Sequence, residues 1–535
     1  MHLSRLTITD FRNLKDLNIN FNRYDDKPYF DDKKEFKSHA VIGQNGSGKS
    51  NLIEALIIIF RDLDLNNQAE FDYEMDYFIR NHKIEIKAKG GKSPLVVING
   101  KRSSAKKLAD HAREYLPSHI FTYYSGRNER IEQLFQAHQS RFAKLLRQGK
   151  DDLIRRLFYC RGGHSQLVLL ACLLSDDPIF VQILEDLNIM ELDSALFVLK
   201  QPHYLKSSKL DENDMINGDN RFWYAGGIIV TEFLDKLWKV SVAPIDHYEN
   251  KQIDFRGRRE KQEQLYLFVP DKERLQELGN LVGPPEVFFR YAEGAYIGDL
   301  IDDVRISVKH KDIDGNIVFN QLSEGELQLL TVLGLMRITS QDHCLFLLDE
   351  PDTHLNPIWK LRYFDDIEKM IKNDQNKTLA GDSQIIITTH DPMMIGSLKR
   401  EQVHILKTEN GKSIIELPDV HPQGMGITGL LKSELFGLSS TIDSETSRRL
   451  DRRNFLFALD KKRSPSEDEE LTKLTDELSD LGFANDFKDP YYALFIQKMA
   501  LHTKFHKKTL SKKEQQEKDA LADKIIEEIL KEEQR

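Results

Sequence analysis

The sequence predicts an α/β protein built round a parallel sheet, split by an inserted α+β region and finished by a helical tail. Three observations carry that expectation. The apolar run Ser38-His39-Ala40-Val41-Ile42 ends on glycine and passes through Gln44-Asn45-Gly46-Ser47-Gly48 into the apolar stretch Asn51-Leu52-Ile53-Glu54-Ala55-Leu56, which reads as strand, loop, helix. Two further continuous apolar runs, Cys344–Glu350 and Ser383–His390, have strand length and no alternation, as in a parallel sheet covered on both faces. Beyond about residue 420 the chain becomes charged, with leucine and isoleucine recurring at helical spacing.

Bulk composition bounds the class. A chain of 535 residues implies roughly two to four domains. Its 40% hydrophobic and 30% charged residues suit a globular protein with a large core. No apolar run reaches the roughly 18 residues of a membrane span, and the alternating N-terminus lacks a secretory h-region, so a cytoplasmic protein with no membrane partner is expected. Cys160, Cys172 and Cys344 show no paired spacing, which points to buried thiols in a reducing compartment. A net charge of -10 argues against a general nucleic-acid coat. The basic clusters 101–107, 256–261 and 504–513 leave local nucleic-acid contact open.

Taken in order, "LSRLTIT" alternates as a first strand, and Leu52, Ile53, Leu56 and Ile57 share one face of the helix after the glycine loop. "SHIFTYYSG" reads as a strand and "SQLVLLACLLS" as a buried helix. Between 185 and 315 the pattern weakens: Ser208–Asn220 is polar and turn-rich, an exposed loop, and Pro284-Pro285 stops any helix. In the tail, Leu471, Leu474, Leu478 and Leu481 line one face, as do Leu521, Ile525 and Ile529, while "RSPSEDEE" reads as a flexible connection. No sustained heptads announce a coiled coil. The expected domains are an N-terminal lobe (1–184), an inserted region (185–315), a C-terminal lobe (316–420) and a helical region for packing or partner binding (421–535).

Four motifs carry chemistry. Gly43 to Ser50 fits G-x-x-x-x-G-K-[ST]: the backbone N–H groups of Asn45, Gly46, Ser47 and Gly48 can wrap a phosphate at a helix start, with Asn51 opening the helix. Lys49 would bridge the β- and γ-phosphates and Ser50 would hold Mg²⁺. After the apolar run Leu345–Leu348, Asp349 is placed to hold the Mg²⁺ shell and Glu350 to orient and deprotonate the attacking water. In "LSEGELQLL", Ser323 and Gly325 lie at a helix start, a second anion site with no lysine of its own; Ser323 with Glu326 also reads as a capping box. His390 closes the last apolar strand and can reach the γ-phosphate or the water.

In this order the four pieces resemble the ABC-type ATPase heads of the SMC and RecF-like group. The resemblance implies an ABC-type P-loop head with ATP and Mg²⁺ as cofactors. It places Phe11, Arg12 and Asn13 of "ITDFRNL" near the nucleotide. "LSEGE" departs from the transporter form LSGGQ and is similar to the SMC-side variants. "DEPDTHLNP" resembles Walker B running into the D-loop, with Asn356 where many relatives carry an aspartate and Asp352 as the weaker candidate. For the Q-loop, only Asn128 and Gln133 offer themselves.

More narrowly, "FTYYSGRNER", "SQLVLLA", "GITGLLKSELFGLSSTID" and "DPYYALFIQKMA" resemble the PtuA-like ATPases of Septu and retron anti-phage defence. That resemblance implies a homodimer with two ATP molecules between each P-loop and the opposite Ser323, a higher oligomer, and a separate HNH nuclease of the PtuB kind. In retrons a reverse transcriptase and its msDNA join as well. No Asp-x-Asp strand end, His-Asn-His or Cys₄ frame follows His390, so the chain reads as ATPase only. A nucleotide-sensing scaffold with little turnover and a RecF/SMC-like DNA-repair ATPase stand as the alternatives.

Overall fold

The computed structural model describes residues 1–21, 37–126, 130–147, 156–160, 163–202, 205, 216–252, 259–312, 315–339, 343–371, 383–438, 441–459, 463–481, 495, 498–499, 502 and 512–533. Two compact units emerge, one of residues 1–397 with 401–417, the other of residues 398–400 with 418–535.

The first unit is organised by a seven-stranded sheet. Its strands run in the order Lys412–Glu416, Val403–Glu409, Ser38–Ile42, Gln384–Thr389, Leu345–Asp349, Ile120–Tyr124 and Leu157–Tyr159. All neighbours are parallel except the hairpin 403–416. The glycine-loop strand and the Asp349 strand thus flank the strand that ends at Thr389. Their registers bring Ile42, Thr389 and Asp349 to one edge of the sheet, since Thr389 pairs with Ile42 and Thr388 with Asp349. The carboxyl edge of such a sheet is where open α/β folds bind ligands.

A six-stranded antiparallel sheet lies beside it. Its order is Leu14–Asn20, His2–Phe11, Tyr73–Ile79, His82–Ala88, Leu95–Ile98 and Lys101–Ser104, so the N-terminal strand pair expected from the sequence forms. Helix Lys49–Leu65 corrects a detail. It is buried all round rather than on one face, and Ala55, Ile58 and Ile59 are as enclosed as Ile53 and Ile57. The reason is the second sheet: Leu6, Ile8, Met75 and Ile84 from it and Val41, Leu347 and Ile386 from the core sheet join the helix in one apolar cluster. Each such aliphatic side chain stabilises by roughly 1.5–3 kcal/mol when fully buried.

The middle of the chain builds a five-stranded antiparallel sheet in the order Val242–Gln252, Arg259–Val269, Ile189–Lys200, Ile301–His310 and Asn316–Val318. Helices Lys272–Val282 and Pro285–Ile297 accompany it, and the break between them falls at the expected prolines, with Gly283 at φ 128°. Of the expected loop 208–220, residues 208–215 lie outside the described residues. Helix His164–Leu173 is buried as expected, and all three cysteines are free and buried. No single helix among the described residues is long and apolar enough to cross a membrane.

The second unit is helical, with Gly426–Lys432, Ser444–Leu459, Pro465–Asp480 and Lys512–Glu533. "RSPSEDEE" is not a linker: it starts a helix. Pro465 takes the first helical position and Glu467 accepts from both the Ser464 backbone N–H (2.7 Å) and the Ser464 hydroxyl (2.9 Å). Leu478 is buried while Leu481, at the helix end, is 57% exposed and leaves the expected stripe. Ile525 and Ile529 are buried.

Candidate nucleotide site

The glycine loop is braced from several sides. A Cβ on Gly43 would collide with the Leu406 carbonyl oxygen and Ser47 Oγ. Gly48 has φ 108°, and a Cβ there would meet Leu14 Cδ2 at 2.6 Å and Asn13 Oδ1 at 2.9 Å. Asn13 Nδ2 donates to the Gly46 carbonyl (2.7 Å) and Asn51 Nδ2 donates to Asn13 Oδ1 (2.6 Å). Asn13, Asn51 and the loop are therefore one constellation, assembled by the turn after the first strand. Lys49 is 5% exposed and its Nζ donates to the carbonyls of Gly43 (2.9 Å) and Gln44 (3.4 Å). Burial lowers its pKa, against the pull of Glu350, Asp349 and Asp352.

Arg12 turns to the helix that follows the loop. Its backbone is left-handed (φ 55°), and its guanidinium bonds Glu54 Oε1 on the helix behind Ser50. Arg130 Nε stands 3.0 Å from Glu54 Oε2, and Glu54 itself is 1% exposed. Burial raises the Glu54 pKa, opposed by Arg130 and then Arg12. Sequence reasoning missed Glu54 and Arg130, although one acid inside "NLIEALIIIF" was a legible signal.

Asp349 is buried at the strand end. Thr388 Oγ1 donates to its Oδ1, while its Oδ2 has no hydrogen-bond partner. Burial raises its pKa, and the hydroxyls of Thr388 and Ser50 lower it in part. A buried carboxylate oxygen beside a serine hydroxyl is the hard-oxygen donor set that suits Mg²⁺. Glu350 follows with a left-handed backbone (φ 49°) and its N–H on the Thr388 carbonyl (3.0 Å). Its Oε1 lies 3.0 Å from His390 Nδ1, so the two residues expected to work together meet.

The D-loop candidates separate. Asp352 is 2% exposed and accepts from Thr389 Oγ1 (3.1 Å), and burial pushes its pKa up to about 6. It is sealed inside its own chain. Asn356 is exposed and its Oδ1 accepts from Trp359 N–H (2.9 Å), capping helix Pro357–Ile371. Gln133 is exposed on the short helix Arg130–Gln133, and Asn128 lies outside the described residues.

Ser323 stands exposed before helix Glu324–Thr339, and the capping box is present. Its N–H and hydroxyl both donate to Glu326 Oε2 (2.7 Å each), and Glu326 N–H donates back to Ser323 Oγ (3.3 Å). Gly325 is required by close approach, since a Cβ would lie 2.5 Å from the His354 carbonyl oxygen. His354 Nδ1 is 3.1 Å from Glu324 Oε2, and Gln328 bonds both the His354 N–H and the Pro351 carbonyl. The stretch 350–356 is thereby fastened to the helix that carries Ser323.

Residues 1–153 match a family model described as an AAA ATPase domain. Residues 231–395 match one described as an AAA domain, with the AbiEii toxin and a Type IV TA system in its description. The glycine loop falls in the first match; Ser323, Asp349, Glu350 and His390 fall in the second. Both matching models describe AAA-type ATPase domains. Among solved structures it is similar to the SMC head domain from Thermotoga maritima (13% identity, 78% of this chain and 100% of that one, TM-score 0.31). It is also similar to the Smc head domain with an extended coiled coil, bound to the C-terminal domain of ScpA, from Pyrococcus furiosus (14%, 78% and 96%, TM-score 0.32). A third likeness is to the recombination mediator RecF with ATP (15%, 78% and 99%, TM-score 0.27). The curated proteins yield no match. The fold assignment rests on the sheet order and on the strand–loop–helix at Ser38–Leu65.

Proposed function

We propose that this chain is a Mg²⁺-dependent ATPase that closes into a dimer around two ATP molecules and thereby controls a separate nuclease in anti-phage defence, as in PtuA-like proteins. One observation carries the ATPase part: Lys49, Asp349, Glu350 and His390 converge on one sheet edge, while Ser323 is presented at a second, lysine-free helix start. The cradle backbone and Lys49 bind and orient the triphosphate. Ser50 and Asp349 hold Mg²⁺, which when bound offsets phosphate charge. Glu350 takes the proton of the attacking water, and His390, on its carboxylate, fixes the direction of that acceptor. Phosphate release from the protein with ATP and Mg²⁺, abolished in Glu350→Gln, tests this part; equal rates in both proteins would end it.

The defence role is supported by the sequence text quoted above. An HNH nuclease silenced equally by ATP and by a non-hydrolysable analogue would identify the scaffold form, in which binding alone signals. A RecF/SMC-like DNA-binding reading is favoured by one feature: Lys101 and Arg102 on the edge strand of the six-stranded sheet and Lys106 and Lys107 on the helix Ala105–Asp110 that follows are all exposed. It requires duplex affinity that falls steeply with salt.

A further inference from the structure

The core strand Gln384–Thr389 closes on three isoleucines and then two threonines, Thr388 and Thr389, both fully buried. Valine would suit such a strand equally well and would bring no hydroxyl to satisfy. The two hydroxyls answer to something other than strand formation. Thr388 Oγ1 donates to Asp349 Oδ1, and Thr389 Oγ1 donates to Asp352 Oδ2 (3.1 Å). Successive side chains of a strand point to opposite faces, so the strand end is clasped to the segment 349–352 from both.

A second bond at Thr389 encloses His390. The Thr389 hydroxyl accepts the Asp391 N–H (3.0 Å), closing a turn whose middle residue is His390. Asp391 is fastened in its own right: Oδ2 accepts from Lys360 Nζ (2.6 Å) and Oδ1 from the Met393 N–H (2.8 Å). The imidazole between these anchors has little packing of its own, since 53% of the His390 side chain is exposed. Its place 3.0 Å from Glu350 Oε1 is therefore set by its backbone. That backbone is held, through Thr389, to Asp352, two residues beyond Glu350. One hydroxyl thus ties the stretch that carries the imidazole to the stretch that carries the carboxylate.

We infer that Thr389 is a positioning residue for hydrolysis: its hydroxyl, anchored on Asp352, holds His390 at the distance from Glu350 that the reaction uses. The inference rests on the ATPase reading under Proposed function. Thr389 is fully buried and acts through His390 alone. Small misplacement of a group that works in the transition state lowers turnover without loosening the ground-state grip on substrate.

The test uses the full chain with ATP and Mg²⁺ and reads steady-state phosphate release beside a thermal melt. Thr389→Val is expected to lower kcat about tenfold while KM for ATP changes less than about twofold. Thr389→Ser keeps the hydroxyl and is expected to stay within about twofold of the parent. Thr389→Ala repeats the deletion at smaller volume, should the valine variant melt below the assay temperature. The deciding measurement is a double-mutant cycle. In a His390→Ala background, Thr389→Val should cost no further activity, because nothing is left for it to position. A threonine with a merely structural role would lower activity by the same factor in both backgrounds. That outcome, a Thr389→Val protein with the parent's kcat, or a His390→Ala protein as active as the parent overturns the inference alone. A parent that releases no phosphate overturns the ATPase reading, and the inference with it.

Discussion

The two halves of the proposed nucleotide site are built in opposite ways. The cradle is locked by its own chain: Gly43 under Leu406, Gly48 against Leu14, Asn13 and Asn51 across the loop, Lys49 folded among carboxylates. Its helix is walled in by two sheets. The Ser323 end is exposed, and its hydroxyl is spent on Glu326 of the same turn. The difference teaches that pre-organisation is concentrated where one chain can supply every donor. The other half is merely held in readiness, by a cap and by the stretch 350–356.

The sharpest way to break the cradle is at its charges. Lys49→Ala and Glu350→Gln are each expected to lower the turnover rate by about 10²-fold or more. They should part company in equilibrium nucleotide binding, lost in the first and kept in the second. Phosphate release and a binding titration check both.

Acid–base balance distinguishes the two regions next. Burial pushes Asp352, on the connecting stretch, up to about 6, and pushes His404, 3.2 Å from His39 of the cradle strand, down to about 4. The folded state therefore favours protonated Asp352. Its contribution is full below the ordinary aspartate value and is lost as pH rises towards 6. His404 works in reverse: its contribution is full above the ordinary histidine value and is lost as pH falls towards 4. At about 1.4 kcal/mol per pKa unit, the ceilings are about 3 kcal/mol for Asp352 and about 3.5 kcal/mol for His404. Denaturant midpoints between pH 4 and 7 should show Asp352→Asn gaining on the wild type as pH rises, and His404→Gln gaining as it falls.

Glycine replacement compares the Ser323 end with an open turn of the core sheet at the same chemistry. Gly325→Ala must displace the His354 carbonyl and is expected to cost about 1–3 kcal/mol. Gly411→Ala, on the hairpin 403–416, meets no heavy atom within 4 Å and carries only the cost of its left-handed backbone, about 1–2 kcal/mol. Thermal melts of the two variants rank them.

The smallest effect joins the halves. Ser323→Ala loses its cap, at about 1 kcal/mol of stability, and is expected to lose about tenfold in turnover, on the order of 1.4 kcal/mol. Mixed with Lys49→Ala protein it should recover activity, because the mixed pair contains one sound cradle facing one sound serine. Absence of recovery on mixing would separate Ser323 from catalysis in the partner.

How legible all this was depends on sequence distance. The octet at Gly43–Ser50 and the pair Asp349–Glu350 are local words, and their strand contexts were plain from the apolar runs. That His390 and Glu350 each close an apolar strand was legible too, while their direct contact is seen only in the fold. The burial of Ala55 and Ile58 did not follow, because nothing in the helix announces a second sheet on its far side. The grip of Arg130 on Glu54 joins residues brought together only by the fold. "RSPSEDEE" misled by composition: a polar, proline-bearing stretch looks like a tether until Ser464 and Glu467 are seen at capping-box spacing. Of the tail text, residues 489–500 lie largely outside the described residues.

Glu54 deserves a last consequence. One enclosed acid receives two cations from separate stretches, the turn at residue 12 and the segment at residue 130, on the very helix that starts with Lys49. If either arm lets go, the buried carboxylate keeps a single cation. The turn that carries Asn13 and the segment at residue 130 are thereby tied to the cradle helix through one shared acid.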